Sequence, residues 1–340
     1  MFQHILILLD GSTRAELALP VAVRLARATG ASLTLLRMVM LPPDYVWYQL
    51  EPPFLAHALL EEEMRKASTY LKGKAWEMDL TGIPVHTHIM PGLPLDRIHT
   101  FLEEHAIDLV VLCSRGQITC RPRIRRSMAQ QVLRQSSVPV LVLQETCELS
   151  GTLSPQGAHP VRLLVALDGS ALAEAVLQPA ALLSAALSAP LCGALHLVRV
   201  LPVSDVMRMG EGTRRHWKRA RDHALAYLET LSQKLQEGDI GQLHLSVTTS
   251  VLFHSHIAET LVNVAEARQQ DTRATEARGE SDRYDIIAMT THGRSGLSHP
   301  RIGSTAERIL QETLLPLLIV HPSFECSPEE KETAYRHASR

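Results

Sequence analysis

The chain is short of cysteine, of net charge and of long apolar runs, and each shortage removes a class of function. Five cysteines, Cys113, Cys120, Cys147, Cys192 and Cys326, are odd in number and nowhere spaced as CxxC. That argues against a disulfide framework or a zinc site, and for reduced thiols in a cytosol. The formal net charge is only −2 over 340 residues, so no global basic field points to nucleic acid and no polybasic tail to a membrane surface. No uninterrupted apolar run approaches the 18 or more residues of a spanning helix. The opening MFQHILILLDGS has five apolar residues before Asp10 and no cationic leader, which does not read as a signal peptide. These absences predict a cytoplasmic protein. There is also no GxxxxGK[ST] and no GxGxxG after the first strand, which removes a P-loop and disfavours a dinucleotide enzyme.

What remains is an ordinary globular composition, 45% apolar and 21% charged, written twice. HILILLDGSTRAELALPVAVRLARATGASLTLLRMV at 4–39 is matched by RLLVALDGSALAEAVLQPAALLSAALSAPLCGALHLVRV at 162–200. DLVVLCSRG at 108–116 answers DIIAMTTHG at 285–293, and VPVLVL at 138–143 answers LPLLIV at 315–320. A repeat of this length means two copies of one folding unit.

Each copy opens with a continuous apolar run ending in Asp-Gly-Ser, as suits a strand buried on both faces of a parallel sheet. An amphipathic helix and a second strand follow (Ser32–Val39; Ala194–Val200). Next come a long helix (56–79; 214–236), a third strand (Pro84–Met90; Leu243–Thr249), a further helix (94–105; 255–270), a fourth strand, a glycine loop, a last helix and a fifth strand. Strands alternating with helices predict two tandem, doubly wound, five-stranded parallel-sheet α/β domains of Rossmann-like form. The expected organisation is a first domain over 1–146, a linker at 147–160, a second domain over 161–322 and a polar tail at 323–340. The two Asp-Gly-Ser turns are 158 residues apart and the two loops 177, so the second copy carries 19 extra residues, many in the polar stretch 268–283.

The chemistry concentrates in DIIAMTTHGRSGLSHPRIGSTAERIL at 285–310. A short apolar strand runs into a glycine loop, and a helix is predicted to start at Gly303-Ser304. Glycine admits close approach of a ligand to backbone, and a helix start directs free N–H groups and the positive end of its dipole into the same space. Phosphate is the group such a cradle suits. The competing reading is a plain capping box, Ser304 with Glu307.

At this point the residues resemble the universal stress protein family, here as a tandem of two domains. The family's signature after the fourth strand is a glycine, two residues, a glycine, nine residues, then Gly-Ser or Gly-Thr. Gly293, nine residues and Gly303-Ser304 fit it, while Thr290 stands where the first glycine would be. The resemblance implies the HUP-type version of the Rossmann-like sheet and a bound adenine nucleotide, ATP, with Mg2+ or Mn2+ alongside. Carried over position by position, Ala166, Leu167 and Asp168 would border adenine and ribose, and Val200 would meet adenine through its backbone. Met289 and Thr290 would line the ribose side, and Gly293, Gly303, Ser304 and Thr305 would hold the phosphates. Arg294 either adds charge there or is solvated. The resemblance also implies that the two sheets pair through their fifth strands, an intramolecular pseudo-dimer; a homodimer of such chains and a protein partner stay open.

The first copy departs from the signature. In CSRGQITCRPRIRRSMAQQVL Gly116 survives, but Cys113 replaces the first glycine and Arg126 the one before Ser127. A bulky side chain where backbone must approach a ligand should block the pose, although Asp10 keeps its turn and Ser127 with Gln130 makes a capping box. Arg115, Arg121, Arg123, Arg125 and Arg126 form a basic cluster, read either as a solvated face or as a site for an anion or acidic partner. His86 with His88 and His254 with His256 lack a third ligand nearby in sequence, and His292 sits in the loop. No general base stands beside a nucleophile, so catalysis beyond slow hydrolysis has no support. The expectation is a stress-response protein that binds ATP in its second domain as a regulatory ligand. The alternatives are an interaction scaffold without nucleotide and a slow ATPase.

Overall fold

A computed structural model describes residues 1–39, 53–77, 80–91, 98–114, 128–145, 160–203, 211–267, 283–291 and 302–322. In the first half β1 (His4–Leu9), α1 (Ala18–Thr29), β2 (Ser32–Val39), α2 (Pro53–Glu77), β3 (Val85–Pro91), α3 (Ile98–Glu104), β4 (Leu109–Ser114), α4 (Met128–Gln135) and β5 (Val140–Gln144) follow in order. The second half repeats this as β6 (Arg162–Ala166), α5 (Ala171–Glu174), α6 (Leu177–Ser188), β7 (Ala194–Leu201), α7 (Glu211–Glu237), β8 (Ser246–Phe253), α8 (Ile257–Ala265), β9 (Ile286–Thr290), α9 (Ser304–Glu312) and β10 (Leu317–Val320).

All ten strands form one sheet in the order β3-β2-β1-β4-β5-β10-β9-β6-β7-β8. Within each half every pairing is parallel, with the doubly wound order 3-2-1-4-5. The halves join where β5 meets β10 antiparallel, Leu141 opposite Leu318 and Val140 opposite Ile319. Each half would otherwise end in an apolar edge with unpaired N–H and C=O groups, and mutual pairing removes both edges.

Side chains alternate across each strand, so Ile5, Ile7 and Leu9 feed one layer while Leu6 and Leu8 feed the other. The first layer holds α1 and α6, which pack on one another across the centre, with Leu71 of α2 and Leu228, Leu231 and Leu235 of α7. The second holds residues of α3, α4, α8 and α9. Helix α1 ends at Gly30, φ 74°, whose N–H bonds to the Ala26 carbonyl, the left-handed stop that glycine makes cheaply.

Four expectations need correction. β8 begins at Ser246, not Leu243, because Asp239–Leu243 forms a 3-10 turn followed by His244 at φ 50°; the strand then runs on to Phe253 beside Leu201. Helix α8 stops at Ala265, and Ala267 at φ 52° has left the helical region. Ser304 is not an N-cap: Gly303 holds that position and no side chain caps the helix. Residues 171–188 do have the length and hydropathy of a membrane helix, a mean of 1.4 over 18 residues. They are split here into α5 and α6, and α6 lies in the core against β6 and β7. Residues 147–159 of the linker, the stretch 268–282 and the tail from 323 lie outside the described residues.

Candidate functional site

Beyond the carboxyl end of β6 the chain turns at Asp168-Gly169-Ser170. The Asp168 Oδ1 accepts from the Ser170 N–H at 2.9 Å and from the Ser170 hydroxyl at 2.6 Å. The Ser170 Oγ in turn accepts from the Ala173 N–H at 3.2 Å, capping α5. Gly169 is favoured by its backbone conformation and lies against a guanidinium. Its φ of 86° is left-handed, and a Cβ there would stand 2.5–2.6 Å from the guanidinium of Arg199. Arg199, 6% exposed at the end of β7, stacks over the ring of Tyr227 on α7 at 5.5 Å. Burial, then the Glu174 carboxylate, raise the Tyr227 hydroxyl above its ordinary pKa.

The first half builds the same buttress. Asp10 accepts from the Ser12 N–H at 2.9 Å and its hydroxyl at 2.6 Å, and Gly11, φ 88°, lies on Arg37, which stacks on Tyr70 at 4.8 Å. The Tyr70 hydroxyl donates to Glu16 at 2.9 Å, and burial together with that bond raises its pKa. Burial pushes the Asp10 carboxyl upward, but the two bonds from Ser12 and the nearby Arg14 outweigh it and hold the group below its ordinary value. Arg37 and Arg199 are the residues that the motif reading passed over. Their signal was present, since LLRMV and LVRVL match across the repeat, as do the tyrosines of the two long helices.

A second candidate element is the start of α9, beyond the carboxyl end of β9. The Gly303 N–H donates to the Thr291 carbonyl at 2.8 Å, and the Gly303 carbonyl accepts from the Glu307 N–H at 2.9 Å. A Cβ on Gly303 would stand 2.6 Å from the Thr291 oxygen, so glycine is needed here for close approach; its φ of −60° suits any residue. The N–H groups of the first turn, Ser304 to Ala306, lie too early in the helix to have acceptors within it. Ser304 is exposed and Thr305 half-buried.

Among the residues singled out from sequence, Ala166, Val200 and Met289 send their side chains into the same layer as Ile302 and α9. They sit at the carboxyl ends of β6, β7 and β9, which are adjacent in the sheet in the order β9-β6-β7. In such sheets that end is where ligands bind. Leu167 points to the opposite layer and reaches this space with backbone alone, its N–H held by the Val198 carbonyl at 2.9 Å. Thr290 is buried at the end of β9. Gly293, Arg294 and His292 lie outside the described residues, as do Gly116, Arg126, Ser127 and the arginine cluster of the first half. Among the described residues no group of three or more His, Cys, Asp or Glu side chains is placed to hold a metal ion. His88 instead packs edge-on against Phe101 and His105, with ring centroids 5.3 and 4.6 Å away.

The universal stress protein family model matches residues 1–144 and again 161–321. The chain belongs to the universal stress protein family. A universal stress protein of Thermus aquaticus is 32% identical over 145 residues, which is 42% of this chain and all of that protein. One from Methanocaldococcus jannaschii is 28% identical over 146 residues, 43% of this chain and 84% of its own length. A solved universal stress protein from Archaeoglobus fulgidus shares the fold along nearly the whole chain, with a TM-score of 0.61 at 18% identity, covering 94% of this chain and 98% of that one. A universal stress protein solved in complex with cAMP aligns over 42% of this chain and 98% of its own, at 22% identity and a TM-score of 0.28.

Proposed function

We propose that the second half binds an adenine nucleotide, ATP with a divalent cation, and that occupancy of this site is the signal the protein carries. The observation that carries the reading is the start of α9. Gly303 is held so close to Thr291 that no side chain fits, and α9 starts from that contact just beyond the carboxyl end of β9, the strand beside the one that leads into the Asp168 turn. Backbone N–H groups and the helix dipole favour phosphate oxygens there. Ser304 and Thr305 add hydroxyls, and Ala166, Val200 and Met289 offer an apolar wall to a base. The first half keeps the Asp10 turn but has Arg126 in place of Gly303, so a single nucleotide per chain is proposed.

The test is mass spectrometry of ligand released from freshly purified protein, followed by titration with Mg-ATP. About one ATP or ADP per chain is the expected result. No released nucleotide and no binding of added Mg-ATP would overturn the reading and leave an interaction scaffold.

A further inference from the structure

The pairing of β5 with β10 places two reciprocal hydrogen bonds across the junction. Gln144, which ends β5 and is 2% exposed, donates its amide to the Leu310 carbonyl of α9 at 3.5 Å. His321, just after β10, bonds through Nε2 to the Leu133 carbonyl of α4 at 2.6 Å. Gln144 and His321 are 177 residues apart, as are Leu133 and Leu310, so these are copies of one contact. The second copy has an imidazole where the first has an amide. A carbonyl oxygen only accepts, so Nε2 carries the hydrogen, which leaves Nδ1 as the ring's second hydrogen-bonding atom. It lies 3.2 Å from the hydroxyl of Thr291.

Thr291 is the residue on which Gly303 closes. It is 2% exposed, its N–H donates to the Val320 carbonyl at 3.0 Å, and its own carbonyl accepts from Gly303 at 2.8 Å. With its hydroxyl on His321, Thr291 is fixed from three sides, and one of those sides is tied through the ring to the first half.

We propose that His321 is a positioning residue for the nucleotide site. It bonds Leu133 of one half and Thr291 of the other at once, and so makes the seating of Gly303, and nucleotide affinity with it, depend on how the first half is docked. The affinity part rests on the nucleotide reading above; the seating part does not.

Three substitutions in the full chain separate the two contacts. His321→Gln keeps a donor near Nε2, as Gln144 shows for Leu310, and gives up Thr291. His321→Asn reaches only the Nδ1 position and gives up Leu133. Thr291→Val keeps the shape and removes the hydroxyl. Each should weaken Mg-ATP binding about threefold to tenfold, the size of one lost hydrogen bond. The double variant Thr291→Val with His321→Gln should be no weaker than either single one, because both remove the same link. In ligand-free protein all three should speed hydrogen exchange in the peptide containing the Gly303 amide.

If His321 merely fastened the halves together, His321→Gln would bind Mg-ATP as the natural protein does, and the Thr291→Val effect would add to it in full. Either result overturns the proposal. If the natural protein binds no Mg-ATP, the nucleotide reading fails. The exchange measurement still decides this proposal: unchanged Gly303 exchange in the three variants refutes it, and faster exchange supports it.

Discussion

Gly303→Ala puts the close approach at the start of α9 to the hardest test, because it adds one methyl group and no charge. The new Cβ would stand 2.6 Å from the Thr291 oxygen, and the obstacle is backbone, which cannot rotate away. Two escapes exist. The Gly303 N–H bond to Thr291 can lengthen, at about 0.5–1.5 kcal/mol, or the first turn of α9 can shift against buried Ile302 and Ala306, at about 1–3 kcal/mol for a strained core. Either escape moves the N–H groups that would face phosphate. Loss of about one charge-assisted hydrogen bond, 1.5–3 kcal/mol, weakens Mg-ATP binding about tenfold to 150-fold. Calorimetric titration reads the affinity, and a thermal melt should show a drop of several degrees. Ser304→Ala is the control, since it removes a hydroxyl and leaves the backbone seated, and it should cost less than tenfold. A Gly303→Ala protein that binds Mg-ATP within about twofold of the natural one, at an unchanged melting temperature, would refute the close-approach reasoning.

The buttress under the Asp168 turn makes a second prediction. Gly169→Ala should destabilise by about 2–4 kcal/mol, from the left-handed φ and the collision with Arg199, and Arg199→Ala in the same chain should relieve the collision and leave about 1–2 kcal/mol; simple additivity in denaturant unfolding would show that the guanidinium does not set the glycine. A third concerns His88, which burial, then His105, then His86 hold below its ordinary 6.5. Between the lowered value and 6.5 the unfolded chain binds more protons, so this stability is fully present above about pH 6.5 and is lost as pH falls through the folded value. His88→Gln should flatten that part of the stability curve measured by urea unfolding from about pH 5 to 7, and an unchanged slope would sink the assignment.

The architecture was legible because the pattern was redundant. Two unbroken apolar runs ending in Asp-Gly-Ser could only be central parallel strands, and an apolar fifth strand in each copy, LVL and LIV, required a partner for its outer edge. The third strand of the second half was misplaced because Leu243 continues an apolar alternation through a turn that only His244's positive φ reveals. At the site, glycine spacing located Gly303 but left its reason ambiguous between a phosphate cradle and a cap. The structure puts Gly303 itself at the N-cap and shows a steric demand from Thr291, 12 positions earlier in the sequence and adjacent in space. Arg199 carried a signal in the match of LVRVL with LLRMV, but its role, like that of His321, lies in a contact between elements that no motif marks.

The two halves also separate what serves the fold from what serves the ligand. The Asp-Gly-Ser turn, the arginine beneath its glycine and the tyrosine beneath the arginine occur in both, including the half in which Arg126 stands where Gly303 would be. A feature that persists beside such a loop is holding the sheet end and the long helix in place, with or without a ligand. Two features of the second half that the first does not share are Gly303 itself and the histidine in the place of Gln144. Both act on Thr291. Gly303 leaves room for its carbonyl, and His321 fixes its hydroxyl from across the junction. If a ligand pulls on α9, the proposed link through His321 would carry that pull to Leu133, in the half whose sequence has Arg126 at the position of Gly303.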